Sequence, residues 1–216
     1  MIPHPFSRLP QAKYTRWFWA LFTFFLAMML VQVFFNAPLK NDVAEQGILS
    51  FELARTPAEA DEIIRSWEEP EQHSARIGLY WDYLYLVAYS SWIAMCCVLA
   101  ARWLSIIGKW RAVAGTIIVG IGAILAWAQF GAALCDAAEN FALLRELSGS
   151  RDALWPVVAR NCARVKFGIA YAGIGYFLLG LPAAAVKLFL KAGKSRSKSK
   201  PDGEENRADK ENAGDH

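Results

Sequence analysis

Residues 112–134 read AVAGTIIVGIGAILAWAQFGAAL, without one charge, and the chain then continues as CDAAENFALL through residue 144. A helix needs about 20 mostly apolar residues to cross a hydrocarbon core roughly 30 Å thick, and this stretch meets that length. In water so continuous an apolar surface has no partner large enough to cover it, whereas lipid accepts it on every side. The acids that follow are therefore the exception in an otherwise lipid-compatible segment, and they need an explanation of their own.

Three other blocks of the same kind flank this one. Residues 17–35 read WFWALFTFFLAMMLVQVFF; residues 78–101 contain a single acid, Asp82; residues 167–189 are apolar until Lys187. Hydrophobic residues make up 55% of the 216, and their collection into blocks separates a membrane protein from a soluble one with the same composition. The first block also fits the basic start and apolar centre of a signal peptide, but it is long for one and no small-x-small cleavage site follows. It reads as a retained helix. The expected fold is all-α and polytopic: a four-helix transmembrane bundle with an amphipathic outer-loop helix.

The expected boundaries are an N-terminal segment at 1–16, spans at 17–35, 78–101, 112–144 and 165–189, and a tail at 190–216. Between them lie a long outer loop at 36–77, a short connection at 102–111 and a second outer loop at 145–164. Orientation follows the bases. Arg8, Lys13 and Arg16 precede the first span, Arg102, Lys109 and Arg111 separate the second from the third, and six more lie between Lys187 and Lys200. The first outer loop is instead rich in acids, from Asp42 to Glu71. Both termini are thus expected in the cytoplasm of a bacterial inner membrane. Arg145, Arg151, Arg160, Arg164 and Lys166 run against that bias at the opposite end.

Within the long loop, Thr56-Pro57-Ala58-Glu59 resembles a capping box, with proline at the first helical position. Ala60, Ile63, Ile64 and Trp67 share one face of the helix expected at 57–69, and Pro70 is expected to stop it. Such a helix rests on the membrane surface or on the ends of the bundle. After residue 190 the sequence has little to bury, and residues 201–216 read PDGEENRADKENAGDH. The tail is expected to be disordered, its basic half suited to anionic lipid. No aromatic residues interleave with those lysines, which argues against single-stranded nucleic acid.

Small residues at four-residue spacing let helices approach closely in lipid. Gly168, Ala172 and Gly175 on the fourth span, and Ala112, Thr116 and Gly120 on the third, suggest packed faces or a homo-oligomer. The four cysteines, Cys96, Cys97, Cys135 and Cys162, show neither CxxC nor zinc-type spacing, and the adjacent pair reads as small apolar residues.

Ionisable groups inside a span are costly and turn toward a bundle interior or a watery cavity. Asp136, Glu139 and Asn140 follow an i, i+3, i+4 pattern and share one helical face. Asp82 lies on the order of 6 Å below the start of its helix. Alternate spans run in opposite directions, so all three acids come to one level near the outer side. The fourth helix begins at that level with Arg160, Arg164 and Lys166, which are the bases expected near the acids; on the alternative reading Arg164 and Lys166 are snorkelling anchors. Tyr80, Trp81, Tyr83 and Tyr85 read as an interfacial belt. Two readings stay open: a structural cluster of ion pairs, and a binding pocket built from Asp82, Asp136, Glu139, Asn140, Arg160 and Arg164.

The segments WDYLYLVAYSSWIA and LCDAAENFALL resemble a pattern in small bacterial four-helix membrane proteins of no established activity. There an aspartate followed by an aromatic starts one helix, and Asp-x-x-Glu-Asn ends a later one. The matching positions are Asp82, Tyr83, Asp136, Glu139 and Asn140. The resemblance implies an architecture and ties the two polar sets together; it implies no reaction.

Three functions follow as expectations. The protein binds an ion, a proton or a small polar or lipid-like ligand; or it is an accessory protein locked by its charges; or it is an enzyme acting on lipid. Two carboxylates and Asn140 form a plausible oxygen set for a hard cation. No cofactor motif, HExxH or GxSxG is present, His73 in the loop reads as exposed, and Ser90 and Ser91 lack an accompanying base.

Overall fold

The computed structural model describes residues 4–107 and 112–198. Among the described residues all regular structure is helical: a 3-10 turn at Pro5–Arg8, α1 (Gln11–Asn36), a 3-10 turn at Ala37–Leu39, α2 (Ile48–Glu52), α3 (Pro57–Ser66), α4 (Glu69–Ile107), α5 (Ala112–Leu147) and α6 (Leu154–Lys198). Four helices, α1, α4, α5 and α6, are long and apolar enough to cross a membrane. The fold is the all-α transmembrane bundle its blocks imply.

The order of packing follows from where the small and polar residues fall. Two thirds of the apolar stretch of α4 is buried in the protein, and none of that of α1. α4 is the central helix, in contact with α1, α5 and α6. α1 packs chiefly on α4 and turns Trp19, Leu30, Val33 and Phe34 outward. In α4 the inward positions are Leu79, Asp82, Leu86, Tyr89, Ile93, Cys96 and Ala100; in α5 they are Gly122, Ala126, Gln129, Ala133, Asp136, Asn140 and Leu143. In α6 they are Ala159, Ala163, Lys166, Ala170, Gly173 and Gly180. The sets step by three and four in alternation, with one full seven-residue step from Gly173 to Gly180, the 3.5-residue repeat of a seam between helices. Polar residues occupy seam positions in all three.

Glycine matters where those helices meet. A Cβ at Gly173 would stand 2.6 Å from Gln129 Nε2 and 2.7 Å from Ile93 Cγ2; one at Gly180 would stand 2.7 Å from Ala100 Cβ. Gly122 is equally tight against Ala101. The stripe expected to pack, Gly168, Ala172 and Gly175, instead faces outward: nothing approaches Gly168 or Gly175 within 4 Å, and Ala172 is exposed. Several small residues crowd this helix, and only one set shares the seam of Ala163 and Lys166, so the outward stripe does not pack within the bundle. On α5, Thr116 is exposed and Gly120 half-buried, while the side chain of Ala112 lies outside the described residues.

Cys96 and Cys97 are buried, and Cys97 Sγ donates to Gly173 O at 3.7 Å.

The long loop is folded onto one end of the bundle. Ala60, Ile63 and Trp67 join Leu39 and Phe51 against Leu79 of α4, Leu143 and Leu147 of α5 and Ala159 of α6. Trp67 Nε1 donates to Leu39 O at 2.8 Å. Thr56 Oγ1 accepts from Glu59 N, but the Glu59 carboxylate reaches Arg55 N rather than the capping residue. α3 ends at Ser66, and Pro70 opens α4 instead of terminating α3; proline suits a first turn, where its missing N–H has no partner to lose.

α5 ends in a Schellman motif: Gly149, at φ +88°, donates to Glu146 O and Ser150 N donates to Arg145 O. α6 then starts at Leu154, before the span expected from residue 165, and it carries Arg160 and Arg164 as helical residues. α6 continues to Lys198, through the first part of the segment expected to be disordered. The rest of that tail lies outside the described residues.

Candidate functional site

Asp82, Asp136 and Lys166 of the seam, with Glu139 beside them on α5 and Glu52 of α2, bring four acids and one base together at the end covered by α2 and α3. Lys166 Nζ lies 2.7 Å from Asp136 Oδ1, 2.9 Å from Glu139 Oε1 and 3.5 Å from Glu52 Oε2. An ammonium has three N–H donors, and here three carboxylates surround it. Asp136, Glu139 and Asn140 are essentially inaccessible and Lys166 is 8% exposed. Asn140 Nδ2 donates to Asp82 Oδ2 at 2.6 Å, which ties α5 to α4. Tyr83 adds a second tie through its hydroxyl to Ala137 O.

Asp82, Asp136, Glu139 and Asn140 therefore converge, as their spacing predicts. Arg160 and Arg164 do not join them. Lys166 shares its face with Ala159, Ala163 and Ala170, whereas Arg164 is two residues, about 200°, around the helix and is exposed. Among the described residues every ion pair to these acids comes from Lys166. Of the bases expected at this level only Lys166, left out of the binding set, is the partner, and Glu52 was missed by sequence reasoning altogether. Lys166 had a signal: it interrupts a stripe of small residues at seam spacing, which an outward-reaching anchor has no reason to do. Glu52 had none, being one of many acids in an acidic loop.

The placement of Glu52 is built locally. Asn36, the last residue of α1, receives Ile48 N on Oδ1 at 2.7 Å and donates through Nδ2 to Gln46 O. Gly47 turns between them at φ +65°, and a Cβ there would strike the Asn36 amide. This pins α2 over the mouth of the bundle, with Glu52 directed at Lys166.

Beneath the cluster lies a cavity of about 400 Å³. Phe25, Met29, Gln32 and Val33 of α1 form one wall, and Phe167, Ala170, Tyr171 and Ile174 of α6 the other. Its back is α4, with Tyr85, Tyr89 and Trp92, and its polar end carries Glu52, Asp82, Asp136 and Lys166. α1 and α6 meet near the opposite end, where Phe18 and Phe177 lie 6.4 Å apart. Nearer the cluster Val33 and Tyr171 are exposed at the rim, so the cavity opens sideways, where lipid would lie. Phe25 stacks on Trp92 at 4.9 Å and neighbours Tyr85 at 6.0 Å.

The aromatic set splits between two roles. Tyr80 and Trp81 face outward as an interfacial belt requires, while Tyr85 lines the cavity. Ser90 is buried and its hydroxyl donates to Val87 O of its own helix, and His73 is exposed on α4. Among the described residues no group of three His, Cys, Asp or Glu side chains is disposed to hold a metal ion; Lys166 fills the space between the carboxylates that a hard cation would take. The chain matches no protein family, no curated protein and no solved structure against which it was compared.

Proposed function

We propose that this is a membrane-embedded binding protein that holds an amphiphile between α1 and α6, its polar group at the carboxylate–lysine cluster and its apolar part along the aromatic walls. One observation carries the reading: a buried ionic cluster forms the end of a cavity that is otherwise apolar and open at the side of the bundle. Ligand sites are typically apolar clefts of about 300–1,000 Å³ with a few convergent polar groups, and this cavity has that composition. The basic flanks around Arg8–Arg16 and Arg102–Arg111 support a bacterial inner-membrane location with both termini cytoplasmic, which sets the cluster in the outer leaflet.

The test is native mass spectrometry of the full chain released from neutral detergent. The expected result is a bound amphiphile, lost in Ala170→Trp, which fills the cavity from the α6 side. A protein that carries no adduct, or one retained equally by Ala170→Trp, contradicts the reading.

A second reading has its own observation. Lys166 alone gathers α2, α5 and α6, as a structural lock in an accessory protein would require. In that case Ala170→Trp is silent in every binding measurement, while changes at Lys166 act on folding alone.

A further inference from the structure

Charge decides what kind of polar group the cavity takes. Glu52, Asp82, Asp136 and Glu139 stand around a single base, and among the described residues every ion pair these four acids make is with Lys166. Its Nζ donates to Asp136 and Glu139 and pairs at 3.5 Å with Glu52, so an anionic head would meet acids with no further cation beside them among the described residues. Asp82 lines the cavity, and its Oδ1 has no donor among the described residues, Oδ2 being taken by Asn140.

A second feature points into the same space. Tyr89, 7% exposed, lines the cavity, and its buried hydroxyl reaches toward Asp136 without forming a hydrogen bond of ordinary geometry. Such a buried hydroxyl is costly to leave unpaired. Around it Phe25, Tyr85 and Trp92 line the same cavity, and aromatic side chains attract cations.

We infer that the cavity between α1 and α6 is a site for a cationic amphiphile, whose protonated amine nitrogen lies among Glu52, Asp82 and Asp136 below Lys166 and whose alkyl chain follows the gap to the lipid. The inference rests on the binding role proposed above and names its ligand class. The nitrogen donates to the second oxygen of Asp82, and the Tyr89 hydroxyl pairs with the head or with the acid the head displaces from its present position. The same chemistry is available from an ethanolamine lipid of the bilayer and from a free alkylamine.

The full chain in neutral maltoside detergent is titrated with dodecylamine, dodecanol and dodecyl phosphate, and the thermal midpoint is followed. Dodecylamine is expected to raise the midpoint and to bind about tenfold tighter or more than the other two. Asp82→Asn weakens dodecylamine by about the same factor and leaves dodecanol unchanged. Tyr89→Phe, which removes one oxygen from a conserved shape, gives the same pattern more weakly and serves if Asp82→Asn does not fold. Equal binding of all three chains overturns the cationic assignment and leaves the amphiphile reading standing; preference for the phosphate does the same. Amine binding that neither Asp82→Asn nor Tyr89→Phe changes places the amine elsewhere and also overturns the inference. No shift with any chain ends both. Lysophosphatidylethanolamine binding tighter than dodecylamine identifies the lipid source; the reverse order identifies a free amine.

Discussion

The two halves of α6 make contrasting interfaces. Toward its C-terminal half, Gly173 and Gly180 bring it against Ile93, Cys97, Ala100 and Trp103 of α4 so closely that no Cβ fits. Toward its N-terminal half, Lys166 reaches across to Asp136 and Glu139 of α5, and a cavity stands between α6 and α1. In lipid there is no hydrophobic drive to bring helices together, so contact must come from dispersion at short range or from polar groups that have no other partner. This protein uses both on one helix. Close packing excludes space, and ionic pairing preserves it; the cavity lies where the second kind prevails.

The sharpest way to break that contrast is at its charged end. Lys166→Met leaves Asp136 and Glu139 buried without a base, and unfolding in detergent is expected to show a loss of about 3–5 kcal/mol. Replacing the three groups together, with Lys166→Met, Asp136→Leu and Glu139→Gln, is expected to recover most of it, because apolar packing substitutes for a buried ion cluster at little net cost. Failure of the triple variant to recover would mean that Lys166 acts by more than its charge.

The packed end gives a smaller effect with an internal control. Gly173→Leu must push against Gln129 and Ile93, and a loss of about 1–3 kcal/mol is expected from overpacking. Gly175→Leu, two residues away and facing lipid, is expected within about 0.5 kcal/mol of the parent. Equal losses would show that the outward stripe is itself an interface, as in a homo-oligomer.

Asn140→Ala tests the tie between α4 and α5. It removes the donor to Asp82 and should cost about 1–3 kcal/mol, with the largest change in exchange protection expected around Asp82 and not at the Gly173 contact. Apart from the Gly175 control, the smallest loss belongs to the loop. Thr56→Ala takes one acceptor from the start of α3 and should cost about 1 kcal/mol, read as faster exchange at Glu59 N while the four long helices are unchanged.

The four spans, the capping threonine and the meeting of Asp82 with Asn140 were legible because each rests on a local rule: block length, a four-residue signature, helical periodicity with alternating direction. Lys166 could not be chosen over Arg160 and Arg164 for want of phase. Its helix carries two stripes of small residues, and only the contact with Gln129, Ile93 and Ala100 tells which of them faces inward. Arg164 was favoured by charge alone, yet it lies on the wrong side of the same turn. Glu52 depends on the Asn36–Gly47 turn, a tertiary arrangement that no spacing in the acidic loop announces. The boundary at Pro70 failed for a different reason: proline marks both the end of one helix and the first turn of another.

The account stands on Lys166 and Glu139 forming one buried unit that joins α5 to α6 at the head of the cavity. A double-mutant cycle with Lys166→Met, Glu139→Gln and both together, read by unfolding in neutral detergent, measures that directly. A coupling of about 1.5–3 kcal/mol is predicted, the range of residues in shared contact. Additive losses, within about 0.5 kcal/mol, would mean that the two side chains do not meet, and the cavity would lose its polar end.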